Sequence, residues 1–454
     1  MIKRPKKSAA RKLMQDSQDK HFRERVRTRV CEILCGAPTI TFEHILKRSF
    51  NCDPAFLLDV LRELKDDDFI YSTEDGDSPV RYSLKERNHY LRTKTTTFRR
   101  SATNPCLGIS SNSPQTEYFR ELLQNMLDSF PEEAPIYSQW WFSESIYEHL
   151  IRLIMRLSKP RESLAFLGSS TLGALLSHFS NNPVNIFDVD SVLLERISHC
   201  CSESTQTINY DVSNEPDSSF KEKFQIVFVD PPWSSSALRV FLLRSSTFVS
   251  IGGNLAISFP QILTRPSVEL ERQELLNLAQ NLGLSLKLVL QGFTEYSVPA
   301  FERNAYEHCG IQLQEPWRRG ELFIFTKTHD RSIDIMPLIE KTPEWSQYKH
   351  GKCRLFLKRD GLFEDGLPSV QPIPGLEDLM YKSVSTRMAS WKSASLVSTR
   401  NHIAHAYGRR QLSELLEGTF SQAHDKHRNH AAFAAMIPME IKETVFSMLN
   451  INTA

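Results

Sequence analysis

The tetrapeptide Asp230-Pro231-Pro232-Trp233 closes an apolar run, residues 224–229, with the length and composition of a buried strand. That placement fixes a carboxylate, two prolines and an aromatic ring at the C-terminal edge of a parallel sheet, where open α/β folds bind ligands. The chemistry on offer is capture of an amine. The Asp230 carboxylate and the carbonyl preceding Pro232 accept N–H bonds and aim a nitrogen lone pair, while Trp233 presents a flat face to a base or a cation. The plainer alternative is a proline turn that only ends the strand.

Other strand ends carry matching chemistry. Asp188 follows the apolar run 184–187, where a carboxylate can accept from both hydroxyls of a ribose. Asp190 is its more exposed neighbour, a second ligand or a helix cap. Asp211 follows residues 208–210, within reach of an adenine amino group. Gly168 ends the first run and Ser169 follows it. The spacing Gly-Ser-Ser-Thr-Leu-Gly from Gly168 to Gly173 is not a dinucleotide fingerprint. Each acid alone is a common cap or turn residue. At the ends of consecutive strands, Asp188, Asp211 and Asp230 point to a nucleoside donor beside an amine acceptor, and S-adenosylmethionine or decarboxylated S-adenosylmethionine fits.

Positioning these tips requires a sheet. Residues 164–167, 184–187, 208–210, 225–229, 253–258, 286–290 and 322–325 read as strands, with helices such as 172–179 and 192–199 between them. The alternation predicts an α/β fold with a Rossmann-like, doubly wound parallel sheet over residues 117–328. Helices at 118–130 and 143–157 lead into it. Residues 93–116, rich in Ser, Thr, Asn and Pro, read as a linker.

Upstream, residues 21–92 give helix, helix, helix and hairpin, the outline of a winged helix. Asp53-Pro54 supplies a cap and first turn for its third helix. Arg62 and Lys65 on that helix are outnumbered by Asp59, Glu63 and Asp66 to Asp68, which favours docking over groove reading. Residues 1–20 are expected to be a disordered basic arm. The winged helix and this arm are the candidate nucleic-acid contacts, and a homodimer is compatible with such a module.

The chain has 454 residues, 40% of them hydrophobic, enough for about three domains. Lys+Arg 55 against Asp+Glu 54 excludes a bulk polyanion binder. The eight cysteines lack metal-ligand spacing, and Cys31 and Cys35 sit a helical turn apart on an apolar face. No apolar stretch approaches the roughly 18 residues of a membrane span, so a soluble, reduced, cytoplasmic protein with no membrane partner is expected.

The block from Tyr137 to about Ala300 resembles the catalytic domain of the branched-chain polyamine synthases, the bis(aminopropyl)spermidine synthases. The matching pieces are Tyr137-Ser-Gln139, Phe166-Leu-Gly168, Phe187-Asp-Val-Asp190, Tyr210-Asp211, Asp230-Pro-Pro-Trp233 and Phe293-Thr-Glu-Tyr296. The winged helix resembles that family's N-terminal module. The resemblance implies a class I methyltransferase-type fold and transfer of an aminopropyl group from decarboxylated S-adenosylmethionine to an amine. It implies Gln139, Gly168, Ser169, Asp188, Asp190 and Asp211 at the donor, and Asp230, Pro231, Pro232, Trp233 and Glu295 at the acceptor and catalytic centre. This chain departs from the family pattern after the first glycine, where Ser169-Ser170-Thr171 replaces a run of aspartates. Those acids would neutralise a polyamine, so an acceptor of lower charge is expected: another amine, a nucleobase or a peptide.

Beyond residue 328, residues 329–374 read as an irregular connector with one strand-like piece, Arg354-Leu-Phe-Leu357, and 375–454 as a helical domain. Arg400-Asn-His-Ile-Ala-His405 resembles the RNA-cleaving motif of the all-helical HEPN domains, which implies phosphate binding by Arg400 and a general-base or charge-stabilising role for His405. Metal binding by His402, His405, His424, His427 and His430, and a plain helix end rich in cations, are the alternatives. Three functions stay open. One is aminopropyl transfer. Another is amino N-methylation of nucleic acid or protein, since Asp-Pro-Pro-Trp also resembles the fourth motif of amino methyltransferases. The third is a degenerate nucleoside-binding module that regulates a C-terminal RNase.

Overall fold

The computed structural model describes residues 7–37, 39–73, 79–85, 114–313, 316–331, 344–359, 367–381, 383, 389–420 and 444. The expected linker at 93–116 and the basic stretch 85–100 lie almost wholly outside them, as do Lys3, Arg4, Lys6, His424, His427 and His430.

Helix α1 (Lys7–Cys35) already begins inside the segment expected to be disordered. It is followed by β1 (Ile40–Thr41), α2 (Phe42–Arg48), α3 (Pro54–Asp66), β2 (Ile70–Thr73) and β3 (Arg81–Leu84), with sheet order β1-β3-β2. Asp53 caps α3 by accepting from the Phe56 amide at 3.0 Å, and Pro54 opens its first turn. Val26, Val30, Ile33 and Leu34 of α1 pack on Leu57, Val60, Leu61 and Leu64 of α3. That core continues into Leu263, Tyr306, Ile311, Leu313 and Trp317 of the next unit. The joint is also polar. The Tyr306 hydroxyl donates to Asp53 at 2.5 Å, and the Asn51 amide donates to Thr264 at 2.8 Å. Most acids on and just after α3 are paired internally: Arg27 with Glu63 and Asp67, and Arg62 with Asp59.

The central sheet comprises β4 (Leu164–Leu167), β5 (Val184–Asp188), β6 (Thr205–Asn209), β7 (Phe224–Val229), β8 (Val249–Pro260), β9 (Leu284–Glu295) and β10 (Arg319–Lys327), in the order β6-β5-β4-β7-β8-β10-β9. The first five strands in that order are parallel, and β10 is antiparallel to both of its neighbours. This is the α/β class read from the sequence. Leu164 to Leu167 are buried on both faces, as a strand covered by helices on either side must be. Burial of a side chain such as Phe166 contributes about 1.5–3 kcal/mol. Register sets Leu167 beside Phe187 and Val229, so the ends of β5, β4 and β7 lie side by side.

The C-terminal segment corrects the sequence reading. Residues 329–374 contain β11 (Trp345–His350), β12 (Cys353–Lys358) and β13 (Ser369–Gln371). The stretch expected to be helical contains β14 (Leu396–Ser398) and β15 (Ile403–Tyr407). Together they form an antiparallel sheet, β11-β12-β14-β15-β13, covered by a helix at Arg409–Phe420. In β15, Ile403, Ala404 and Ala406 are buried, His405 is half-buried and Tyr407 is exposed. Asn401, at φ 69°, turns the chain between the last two strands of this hairpin. Arg400 and His405 therefore sit in a hairpin and not on a helix end, so the HEPN arrangement is absent there.

Candidate functional site

At the tip of β4 the chain must turn sharply under its neighbours. Gly168 has φ +62°, and a Cβ there would stand 2.9 Å from the Asp230 carbonyl oxygen, so only glycine fits. The Gly168 amide donates to the Phe187 carbonyl, and the Asp230 amide to the Leu167 carbonyl. Gly168 thus lies between the ends that carry Asp188 and Asp230, with strands about 4.8 Å apart.

The three residues after Gly168 are buried and point inward. Ser169 donates to the Phe228 carbonyl at 3.4 Å, Ser170 donates to Asp188 Oδ2 at 2.5 Å, and Thr171 accepts from the Tyr147 hydroxyl at 2.9 Å. They organise the turn and offer no charge to a cation. Asp188 also accepts from the Asp190 amide at 3.0 Å, and burial pushes its carboxyl up to about 6.

Asp190 differs from expectation. It is fully buried, caps the helix Ser191–Cys200 through the Val192 and Leu193 amides, and pairs with the equally buried Arg354 of β12. Gln139 is consumed by the same network. Its Nε2 donates to Asp190 at 2.8 Å, and its Oε1 accepts from Arg354 and from the Ala134 amide. Gln139 and Asp190 are therefore scaffold for the loop that carries Asp188. Asp211 lies two residues beyond the end of β6, half-buried, and accepts from the Ser213 amide at 2.8 Å. Tyr137 lies near all three acids. Burial, with Asp188, Asp190 and Asp211 all in electrostatic reach, pushes its hydroxyl up to about 12.

Replacing Asp188 with Ala removes a carboxylate suited to two ribose hydroxyls. Because a hydrogen bond to a charged group contributes roughly 1.5–3 kcal/mol, nucleoside-donor affinity should fall about 10- to 100-fold by calorimetry. Unchanged affinity would remove Asp188 from the donor site.

At the tip of β7, the Tyr296 hydroxyl donates to Asp230 Oδ1 at 2.6 Å and is itself 2.6 Å from the Ser258 hydroxyl. Burial pushes the Asp230 carboxyl up to about 7 although these hydroxyls favour its charged form. Trp233 stands edge-on to Tyr296, with ring centroids 5.4 Å apart. Gly320 leaves room for the indole, since a Cβ there would meet Trp233 at 2.8 Å. Pro231 is buried, and Pro232, like Asp230, is half-exposed. Glu295 is engaged: Arg319 pairs with it, and Ser143 and Ser145 donate to it at 2.8 and 3.2 Å.

Glu133 was not singled out in the sequence. It sits deep, near Tyr147, and burial raises its carboxyl to about 7. Glu133, Asp188 and Asp230 are all strongly desolvated and only partly exposed. Tyr296 belongs to the matching piece Phe293-Thr-Glu-Tyr296 but was given no role there, and Ser258, a hydroxyl on a neighbouring strand, has no sequence signature.

Arg400 and His405, expected from the HEPN resemblance, lie in the C-terminal sheet and its hairpin. Arg400 forms a two-point pair with Glu132, and His405 lies on β15 opposite Gln371 of β13. Among the described residues no group of three or more His, Cys, Asp or Glu is arranged to hold a metal ion, and no helix is long and apolar enough to cross a membrane.

Residues 133–250, which include every strand tip above, match the model of a family described as "Probable N6-adenine methyltransferase". Among solved structures, the branched-chain polyamine synthase from Thermus thermophilus, in complex with N4-aminopropylspermidine and 5'-methylthioadenosine, is similar with a TM-score of 0.54. It is 12% identical, over 70% of this chain and 91% of that one. Its C9 mutein gives the same TM-score at 13% identity and the same coverage. A TehB-like SAM-dependent methyltransferase from Corynebacterium glutamicum matches over 48% of this chain and all of its own, at 13% identity and a TM-score of 0.28. No curated protein sequence matches the chain. The fold is the class I methyltransferase type.

Proposed function

We propose that this transferase moves the methyl group of S-adenosylmethionine to an uncharged amine on a planar group, such as the exocyclic nitrogen of a nucleobase. The observation that carries the reading is the desolvated Asp230 carboxylate, braced by Tyr296 at a proline-rich strand tip one strand from Gly168. An exocyclic nitrogen is a poor nucleophile because its lone pair is shared with the ring. N–H bonds to Asp230 Oδ2 and to a backbone carbonyl at the prolines turn that lone pair out of the ring plane and toward the donor carbon. Nitrogen then attacks, the carbon–sulfur bond breaks, neutral S-adenosylhomocysteine leaves, and the extra proton passes to Asp230 and solvent. Positioning supplies most of the rate in such an alkylation. On this reading Asp188 and Asp211 hold ribose and adenine, and the turn at Gly168 passes under the donor. The N-terminal module, a winged helix in outline, serves as a docking unit.

Two further observations favour a neutral acceptor. Ser169, Ser170 and Thr171 put buried hydroxyls where the resembling family carries aspartates, and Glu295 is already neutralised by Arg319. Aminopropyl transfer is the second reading. The structural likeness to the polyamine synthase favours it, because that likeness extends over 91% of that chain.

Calorimetry with S-adenosylmethionine, its decarboxylated form and methylthioadenosine separates them. Methyl transfer calls for S-adenosylmethionine to bind at least about tenfold tighter than the decarboxylated donor, the worth of one charge-assisted hydrogen bond to its carboxylate. The reverse order selects aminopropyl transfer, and indifference to all three removes both.

A further inference from the structure

We propose that Arg318 determines acceptor specificity by filling, with the chain's own cation, an aromatic cage beside Asp230. Its guanidinium carbon lies 3.7 Å from the ring centroid of Trp140, 5.3 Å from that of Trp317 and 5.7 Å from that of Trp233. Glu302, fully buried, pairs with it at 3.1 Å, while among the described residues the Arg318 Nε has no hydrogen-bond partner. Ring faces and one carboxylate therefore hold this guanidinium. Trp233 leads from the cage to the site, edge-on to the Tyr296 ring whose hydroxyl braces Asp230.

Tryptophan faces around a buried carboxylate are what a substrate ammonium would seek. Here the place is taken, and a second cation would meet both a filled volume and a like charge. A neutral flat ring meets no like charge, and can stack on the part of the guanidinium that stays accessible, the Arg318 side chain being 19% exposed. The cage thus selects uncharged planar amines and rejects polyamines. This inference rests on the amine-acceptor reading of Asp230 and names the substrate class.

Aniline and benzylammonium, nearly the same size and different in charge at mildly alkaline pH, test it through the fluorescence of the cage tryptophans. The wild-type protein, without donor, should bind aniline at least about tenfold more tightly, the scale of the desolvated cation–π interaction that Arg318 denies to a second cation. Arg318→Gln should erase or invert that preference. Equal binding of the two probes by wild type overturns the proposal. So does a Gln variant that keeps both normal donor affinity and the wild-type preference. If that variant loses donor binding, Arg318→Met, which retains the stem volume, replaces it under the same criteria. The donor calorimetry is independent, so a decarboxylated-donor preference would defeat methyl transfer and leave this charge test standing.

Discussion

Asp230→Asn should lower kcat by about 10²–10⁴-fold while donor affinity stays within a few-fold of wild type. The carboxylate does two jobs that an amide does poorly: it accepts the acceptor's N–H and takes up the released proton. Only the ionised form does either. Burial holds its carboxyl near 7, so wild-type activity should rise as pH passes upward through that value and fall off below it. The Asn variant should have no such inflection in its residual rate. Tyr296→Phe supplies the directional control. The Tyr296 hydrogen bond at 2.6 Å favours the charged carboxylate, so removing it raises the Asp230 pKa and moves the inflection to higher pH. Rates in saturating donor across pH, with parallel calorimetry, give both readings. An Asn variant that loses donor binding as fully as turnover would place Asp230 in the donor pocket instead.

The central sheet was legible because its strands are short apolar runs with acids or glycine at their ends. Ile226 to Val229 is an example, buried on both faces and therefore continuous in hydrophobicity. The acids at 188, 211 and 230 could be placed on one sheet edge for the same reason. What the reading lacked was partners. Asp190 looks like an exposed cap in its local sequence, and it is buried by an arginine 164 positions away. The Arg318 cage draws its rings from residues 140, 233 and 317, so no window of sequence contains it. Of the C-terminal sheet only the piece 354–357, part of β12, was legible. The strands at 369–371 and 396–398 are three residues long, too short for a period of 2 to show, the first set among prolines and the second beside alanine- and leucine-containing flanks that read as helix. Their stability comes from pairing across the sheet, which local propensity does not encode.

That sheet has a consequence for the donor loop. Arg354 of β12 reaches Asp190, Gln139 and the Glu132 carbonyl, and Asp190 in turn fixes Asp188 through its amide. Arg354→Met should cost about 3–5 kcal/mol of stability, because it leaves the Asp190 charge buried without its partner. Donor affinity should fall as well, since the loop carrying Asp188 loses its brace. The combination Arg354→Met with Asp190→Asn is the decisive variant. It removes both charges, keeps both volumes and leaves an amide able to serve the helix cap, so it should regain most of the stability lost by the single change. Urea unfolding of the wild type, both single variants and the double variant gives the coupling directly. A coupling below about 1 kcal/mol would mean that the pair is not what couples the C-terminal sheet to the donor loop.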